Sequence, residues 1–244
     1  MLKVQDLSAH SPNEALFGVS FEVPNGQVLA VVGKSDSGKH LLGAVLAGNP
    51  LAGGSVTSGE VHANSYRYRT HRQKVQIQTG YLANPVQLEE FLTGYELLDL
   101  IGSLYHLAPV SRSKQIETLS SALDIGSALY GVIERETLAT RQKIALIATV
   151  IHAPKVLILD EPTQSLDFAG RGQVGKLIDD QASQGSSIVL ITDNLELAEH
   201  SADEIIVLEQ GQILLNGTLQ QLINQTKTRT HTLKGVMETL FGDG

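Results

Sequence analysis

The sequence has 244 residues, 42% of them hydrophobic, and a formal charge of −8. That length and apolar content support one large domain, or a domain with a subdomain, around a buried core, and argue against a disordered chain. The absence of cysteine excludes disulfide scaffolding, thiol catalysis and cysteine-ligated zinc, and the absence of any Lys/Arg block argues against a nucleic-acid partner, because phosphate contacts need clustered cations.

In chain order, the start MLKVQDLSAH lacks the basic-then-apolar layout of a signal peptide. No apolar run approaches the roughly 18 residues that a membrane-spanning helix requires, so a cytoplasmic chain is expected. Gly26–Gly33, GQVLAVVG, is a Val-rich run that stops at a glycine loop, and HLLGAVLAG follows with helical spacing. From Pro85 to Ile151 the patterns LTGYELLDLIGSLYHL and RQKIALIATVI read as wholly helical, an inserted subdomain at about 86–151. Lys155–Asp160, KVLILD, is a buried strand ending in a carboxylate pair, Asp160 and Glu161, before Pro162. Ser186–Thr192 is another strand, and DEIIVLEQGQILLNG reads as a hairpin turning at Gly211-Gln212. Leu233, Val236, Met237, Leu240 and Phe241 form one apolar stripe on a terminal helix, read as capping its own domain. Strands alternating with helices imply a mostly parallel sheet covered on both faces.

The segment from Gly33 to Leu41 carries the first chemical signal. Gly33, four residues (Lys34, Ser35, Asp36, Ser37), then Gly38-Lys39 is the spacing of a phosphate-binding loop, and it sits between a strand and a helix. Such a loop aims main-chain N–H groups and a helix N-terminus at one anion, while the lysine neutralises the outer phosphates. A hydroxyl normally follows the lysine and gives magnesium a hard oxygen; here His40 offers nitrogen, so weakened magnesium binding is expected, with the imidazole idle. Asp160, at a strand end, is placed to hold magnesium directly or through water, and Glu161 to orient and deprotonate an attacking water.

Together with SGEV at Ser58–Val61, GYL at Gly80–Leu82, LTGYELL at Leu92–Leu98 and LDEPTQSLD at Leu159–Asp167, these segments give the chain its family resemblance. It resembles the ATP-binding cassette (ABC) family, the ATPase subunits of ABC transporters, across nearly its whole length, and looks most like exporter ATPases whose membrane half is a separate polypeptide. The resemblance implies an α/β P-loop NTPase fold with a mostly parallel sheet core, an antiparallel β subdomain and the inserted helical subdomain. It divides the chain into an ATPase domain at 1–222 and a C-terminal extension with an amphipathic helix at 223–244. It implies ATP and Mg2+ as cofactors, and as partners a membrane-spanning subunit and a second ABC ATPase, in a homodimer or heterodimer. It places the chain on the inner face of the cell membrane.

The same resemblance marks where this chain departs from the family pattern. The signature loop, usually Leu-Ser-Gly-Gly-Gln, corresponds to Glu136, Thr137, Leu138, Ala139 and Thr140, with Cβ atoms where two glycines approach the nucleotide of the facing subunit. The glutamine after GYL, which senses nucleotide and couples to the membrane subunit, corresponds to the shorter Asn84. The positions toward the metal are thus Asp160, His40 and Asn84. The histidine that meets the γ-phosphate corresponds to Asp193. A like charge about 5 Å from that phosphate, at an effective dielectric of 20, costs about 3 kcal/mol unless Asp193 turns away, protonates or meets a cation. The aromatic that stacks on adenine corresponds at best to His10, and Asp167 to an inter-subunit aspartate that also suits a helix N-cap. Two readings follow: an ATP-binding transporter subunit that hydrolyses ATP slowly through Lys39 and Glu161, or a hydrolysis-impaired regulatory subunit paired with a competent ATPase.

Overall fold

The computed structural model describes residues 1–48 and 55–242. Strands β3 (Val28–Gly33), β6 (Thr79–Leu82), β7 (Val156–Asp160), β8 (Ser187–Ile191), β9 (Glu204–Glu209) and β10 (Gln212–Gly217) form a six-stranded sheet in the order β10-β9-β3-β8-β7-β6. All its pairings are parallel except the β9–β10 hairpin. The hairpin turns at Gln210 and Gly211, both with positive φ, one residue earlier than the sequence pattern indicated; the left-handed pair needs a glycine that Gly211-Gln212 would place one step too soon.

Every residue of β3, β7 and β8 is buried, which is why these segments read as continuous aliphatic runs. Successive side chains serve opposite faces. Val156, Ile158, Val189 and Ile191 join a core shared with helix α1 (Lys39–Leu46) and with strands β1 (Leu2–His10), β2 (Ala15–Val23) and β4 (Ser55–Ala63). Leu157, Leu159, Ile188 and Leu190 join a second core with helices α3 (Gly94–Leu104), α4 (Pro109–Ala122), α5 (Leu138–Val150) and α6 (Phe168–Ser183). The first group of strands pairs antiparallel as β2-β1-β4-β5, with β5 at Tyr66–Arg67. Helix α2 (Tyr68–Gln78) buries only Val75, so its sequence YRTHRQKVQIQ carries no helical stripe to read.

Polar caps fix the helix starts. Thr93 and Glu96 make a reciprocal capping box on α3, Thr137 caps α5 and Asp167 accepts from the Gly170 N–H to cap α6. Helix α7 (Leu195–Ser201) starts at Asn194, α8 (Leu219–Thr226) at Thr218 and α9 (Leu233–Phe241) at Thr232. Helix α9 lays Leu233 and Val236 against Val32, Ile205 and Leu222, and Met237, Leu240 and Phe241 pack at the edge of that cluster. The stripe therefore covers the chain's own sheet.

Where α3 ends, the Tyr105 ring stacks on His152 with centroids 3.8 Å apart. Burial pushes the His152 imidazole down to about 4, so it stays neutral in the fold while the unfolded chain protonates near its ordinary value. The unfolded state then binds more protons between pH 6.5 and 4, and stability present above that window is lost as pH falls through it. Urea denaturation at pH 7.5 and pH 5 should show a loss of about 1–2 kcal/mol that His152→Phe largely removes; equal losses in both proteins would show that another group sets the acid limit.

Candidate functional site

The carboxyl ends of four adjacent strands, β3, β8, β7 and β6, open onto one place, and the register aligns them: Val31 pairs with Ile191, Asp160 with Ile191 and Leu82 with Leu159. In open parallel sheets this end of the strands is where ligands bind. A cavity of about 550 Å³ lies there, lined by His40, Asn84, Glu161, Thr163, Gln164, Ser165, Arg171, Asp193, Asn194 and Leu195. Asn84, His40, Glu161 and Asp193, expected together from sequence, are together. His10 is exposed at the end of β1 and does not line that cavity, but it pairs with Ala15, whose carbonyl abuts Gly38 of the loop.

Residues 33–38 turn from β3 into α1 through two glycines with separate tasks. A Cβ on Gly33 would collide with the Leu208 carbonyl and with Ser37, so the turn closes against β9 only at glycine. Gly38 is left-handed at φ 91, where an L side chain is strained, and a Cβ there would meet the Ala15 carbonyl at 2.8 Å. Ser37 is buried with its hydroxyl unpartnered among the described residues, while Ser35 and Asp36 are exposed. Lys34 is exposed, with its ammonium 4.8 Å from the centre of the Phe241 ring. Leu41 is buried and anchors the first turn of α1, whose N-terminus no side chain caps.

Lys39 is 0% exposed. Its Nζ donates to the Lys34 carbonyl at 3.1 Å and the Gly33 carbonyl at 3.4 Å, and pairs with Asp193 Oδ1 at 3.1 Å. Asp193 is therefore not an uncompensated negative charge beside the phosphate position; it meets a cation, and that cation is the loop's own lysine. The expectation of an idle His40 is also corrected. Its Nδ1 lies 2.8 Å from Oδ1 of the buried Asp160, and that hydrogen bond holds the imidazole above its ordinary proton affinity, against burial and the nearby Lys39 charge. The ring is pinned because Asp160, buried at the end of β7, needs a donor and finds one across the loop.

Glu161 sits at φ 49, a left-handed backbone that is uncommon for a non-glycine residue. Its Oε1 accepts from the Asp193 N–H at 2.6 Å and its Oε2 from the Thr192 hydroxyl at 3.1 Å. Burial raises its proton affinity most, the Asp193 and Asp160 charges add to this, and the two donors oppose it. A carboxylate so shifted is a stronger base than one in water. Gln142, on α5, was not anticipated: its amide donates to the carbonyls of Glu161 and Pro162, both at 3.2 Å, and holds the turn that presents Glu161. Arg171, whose Nε donates to the Leu166 carbonyl, brings a guanidinium to the cavity wall and was missed as well. No local pattern distinguishes either residue from an ordinary helix position. Thr137 and Leu138 lie outside the cavity, with Leu138 69% exposed.

Removing the Gln142 amide strands two carbonyls beside a strained backbone. Gln142→Ala is expected to lower the unfolding free energy by about 1–3 kcal/mol in urea titration, with Gln142→Glu, whose carboxylate offers the two carbonyls no donor, at least as damaging; an unchanged midpoint for the alanine variant would show that the turn holds without it.

Residues 16–164 match the family model described as "ABC transporter". A daunorubicin resistance ATP-binding protein, DrrA3 of Streptomyces coeruleorubidus, is 30% identical over 89% of this chain and 67% of its own length. Several other curated relatives are matched over 47% to 64% of their length, so the chain spans about half to two thirds of them. A solved structure of the ATP-binding subunit of an ABC transporter superposes with a TM-score of 0.89 at 25% identity, covering 98% of this chain and 99% of that one. The dimeric cassette MJ0796 in a post-hydrolysis state with ADP and Pi gives a TM-score of 0.79 at 18% identity over 89% and 98%, a likeness of fold. A match that runs from β2 to the turn beyond β7, more than half of the sequence, shows that the chain belongs to the ABC transporter family.

Proposed function

We propose that this chain is the ATP-binding subunit of an ABC transporter, holding ATP at the 33–41 loop and hydrolysing it slowly to drive a separate membrane-spanning subunit. One observation carries the reading: a buried lysine at the start of α1, Lys39, stands across the strand ends from a raised-affinity carboxylate, Glu161. The loop amides from Gly33 to Leu41 and the Lys39 ammonium would take the phosphates. Glu161 would accept a proton from the water that attacks the terminal phosphorus, as the bridging oxygen leaves with ADP and inorganic phosphate forms. Asn84 reaches the same cavity and would report the nucleotide toward the helical segment.

Magnesium demands near-octahedral oxygen ligation. Asp160 and Asn84 could supply oxygen, but His40, where a hydroxyl normally follows the lysine, offers a nitrogen and engages Asp160 Oδ1. Among the described residues no three His, Asp or Glu side chains gather as a metal-binding group. The residues present fit magnesium poorly, and no step above passes through it. The weakened turnover follows from that misfit, and from Leu138 and Ala139 at the signature positions that a second cassette chain, identical or different, would face.

No helix among the described residues is long and apolar enough to cross a membrane. The proposed place is the inner face of the cell membrane, bound to the membrane subunit. A cavity of about 990 Å³ between the β6 end and helices α3 and α5, lined by Pro85, Val86, Leu104, Tyr105 and His152 among others, would receive it. The His40 and Asp193 pairings suit the regulatory alternative as well, and it is Glu161, whose burial raises its proton affinity, that favours hydrolysis over it.

Equilibrium dialysis should show ATP retained by the chain and lost in Lys39→Ala, and steady-state turnover should fall by about 10²–10⁴ in Glu161→Gln; retention untouched by the lysine change would overturn the reading. Separately, His40→Ser frees Asp160 and supplies a hydroxyl, so magnesium should tighten ATP binding about tenfold more in the variant than in the native chain. Identical magnesium responses in the two titrations would show that His40 is not the obstacle.

A further inference from the structure

We propose that Asp193 stands in for a terminal phosphate, so that this site retains a nucleoside diphosphate and admits a triphosphate only by displacing the carboxylate. The inference rests on the nucleotide-binding role proposed above and deepens it.

An ammonium has three protons to donate. Those of Lys39 face the Gly33 and Lys34 carbonyls and Asp193 Oδ1, so two directions end on neutral oxygens and one on an anion. A buried cation needs a counter-charge, and the aspartate provides it where the loop's lysine would meet a phosphate. A diphosphate needs one direction and exchanges it for a neutral carbonyl. A triphosphate, whose two outer groups both reach the lysine, either takes both carbonyl directions and is left against the carboxylate on the third, or takes the carboxylate's place; like-charge repulsion favours the second.

The carboxylate is held there on a short, fixed arm. The Asp193 N–H donates to Glu161 at 2.6 Å, the preceding Thr192 hydroxyl donates to the same carboxylate, and the Asn194 N–H donates back to the Thr192 hydroxyl at 3.0 Å while its side chain caps α7. Main-chain position is thereby set independently of the Lys39 pair. The Asp193 side chain itself is 61% exposed, so it has water to turn into when displaced. The surrogate is therefore anchored at its backbone and releasable at its tip. Because the same N–H that fixes Asp193 also engages Glu161, replacing the side chain alone leaves the Glu161 contact in place.

Isothermal titration of the full chain with ADP and with ATP, in a chelator so that only protein groups meet the phosphates, reads the selectivity directly. The native chain should hold ADP at least as tightly as ATP, and Asp193→Asn should shift the ratio toward ATP by about tenfold, with ADP affinity changed less than about threefold. Asp193→Ser, which removes the carboxylate and shortens the arm as well, should shift it in the same direction. A ratio within about twofold of the native value in both folded variants would overturn the proposal and leave nucleotide binding standing. Failure of the native chain to retain either nucleotide would overturn both readings together.

Discussion

A lysine ammonium with no solvent exposure lies at the mouth of a sheet whose strands β3, β7 and β8 are buried along their whole length. Burying that charge is tolerable only where oxygens surround it, and the fold supplies them from two directions: loop carbonyls freed by the turn at Gly33 and Gly38, and a carboxylate at the end of the neighbouring strand. The parallel pairing of β3 with β8 brings that carboxylate within reach, since Val31 and Ile191 are partners and Asp193 follows two residues later. Remove the strand register and Lys39 has no counter-ion; remove the glycines and the loop cannot close on it.

Two positions that mark this chain out within its family have the same physical outcome. His40 gives Asp160 a hydrogen-bond partner, and Asp193 gives Lys39 an anion. The site thus neutralises its own charges in the absence of ligand. Both partners come from separate strand ends, so the self-neutralisation is a property of the sheet's topology and not of the loop alone. Glu161 shares in it: its oxygens are already hydrogen-bonded to Thr192 and Asp193, which lowers the affinity for a proton that burial raises.

The strands were legible because β3, β7 and β8 are buried on both faces and leave uninterrupted Val, Ile and Leu runs. The phosphate loop was legible because its glycines and lysine are fixed by local backbone geometry. Helix α2 was not, since its one buried residue leaves no period to detect. The ion pairs were least accessible of all. His40 and Asp160 lie 120 residues apart, and nothing local distinguishes a histidine that is idle from one that a distant carboxylate will claim. At Asp193 the exception that spares the like-charge penalty, a nearby cation, is the one found, and the cation is Lys39, which no local pattern could single out.

Strand β3 is hydrogen-bonded along both sides, to β8 and to β9, and none of its residues reaches solvent. A loop mounted on so stiff a rail has little freedom to retreat from an arriving anion. The Asp193 side chain, 61% exposed on a backbone held by its N–H, is free to turn where that rail is not, so an arriving anion would meet a side-chain rotation before a shift of the strand.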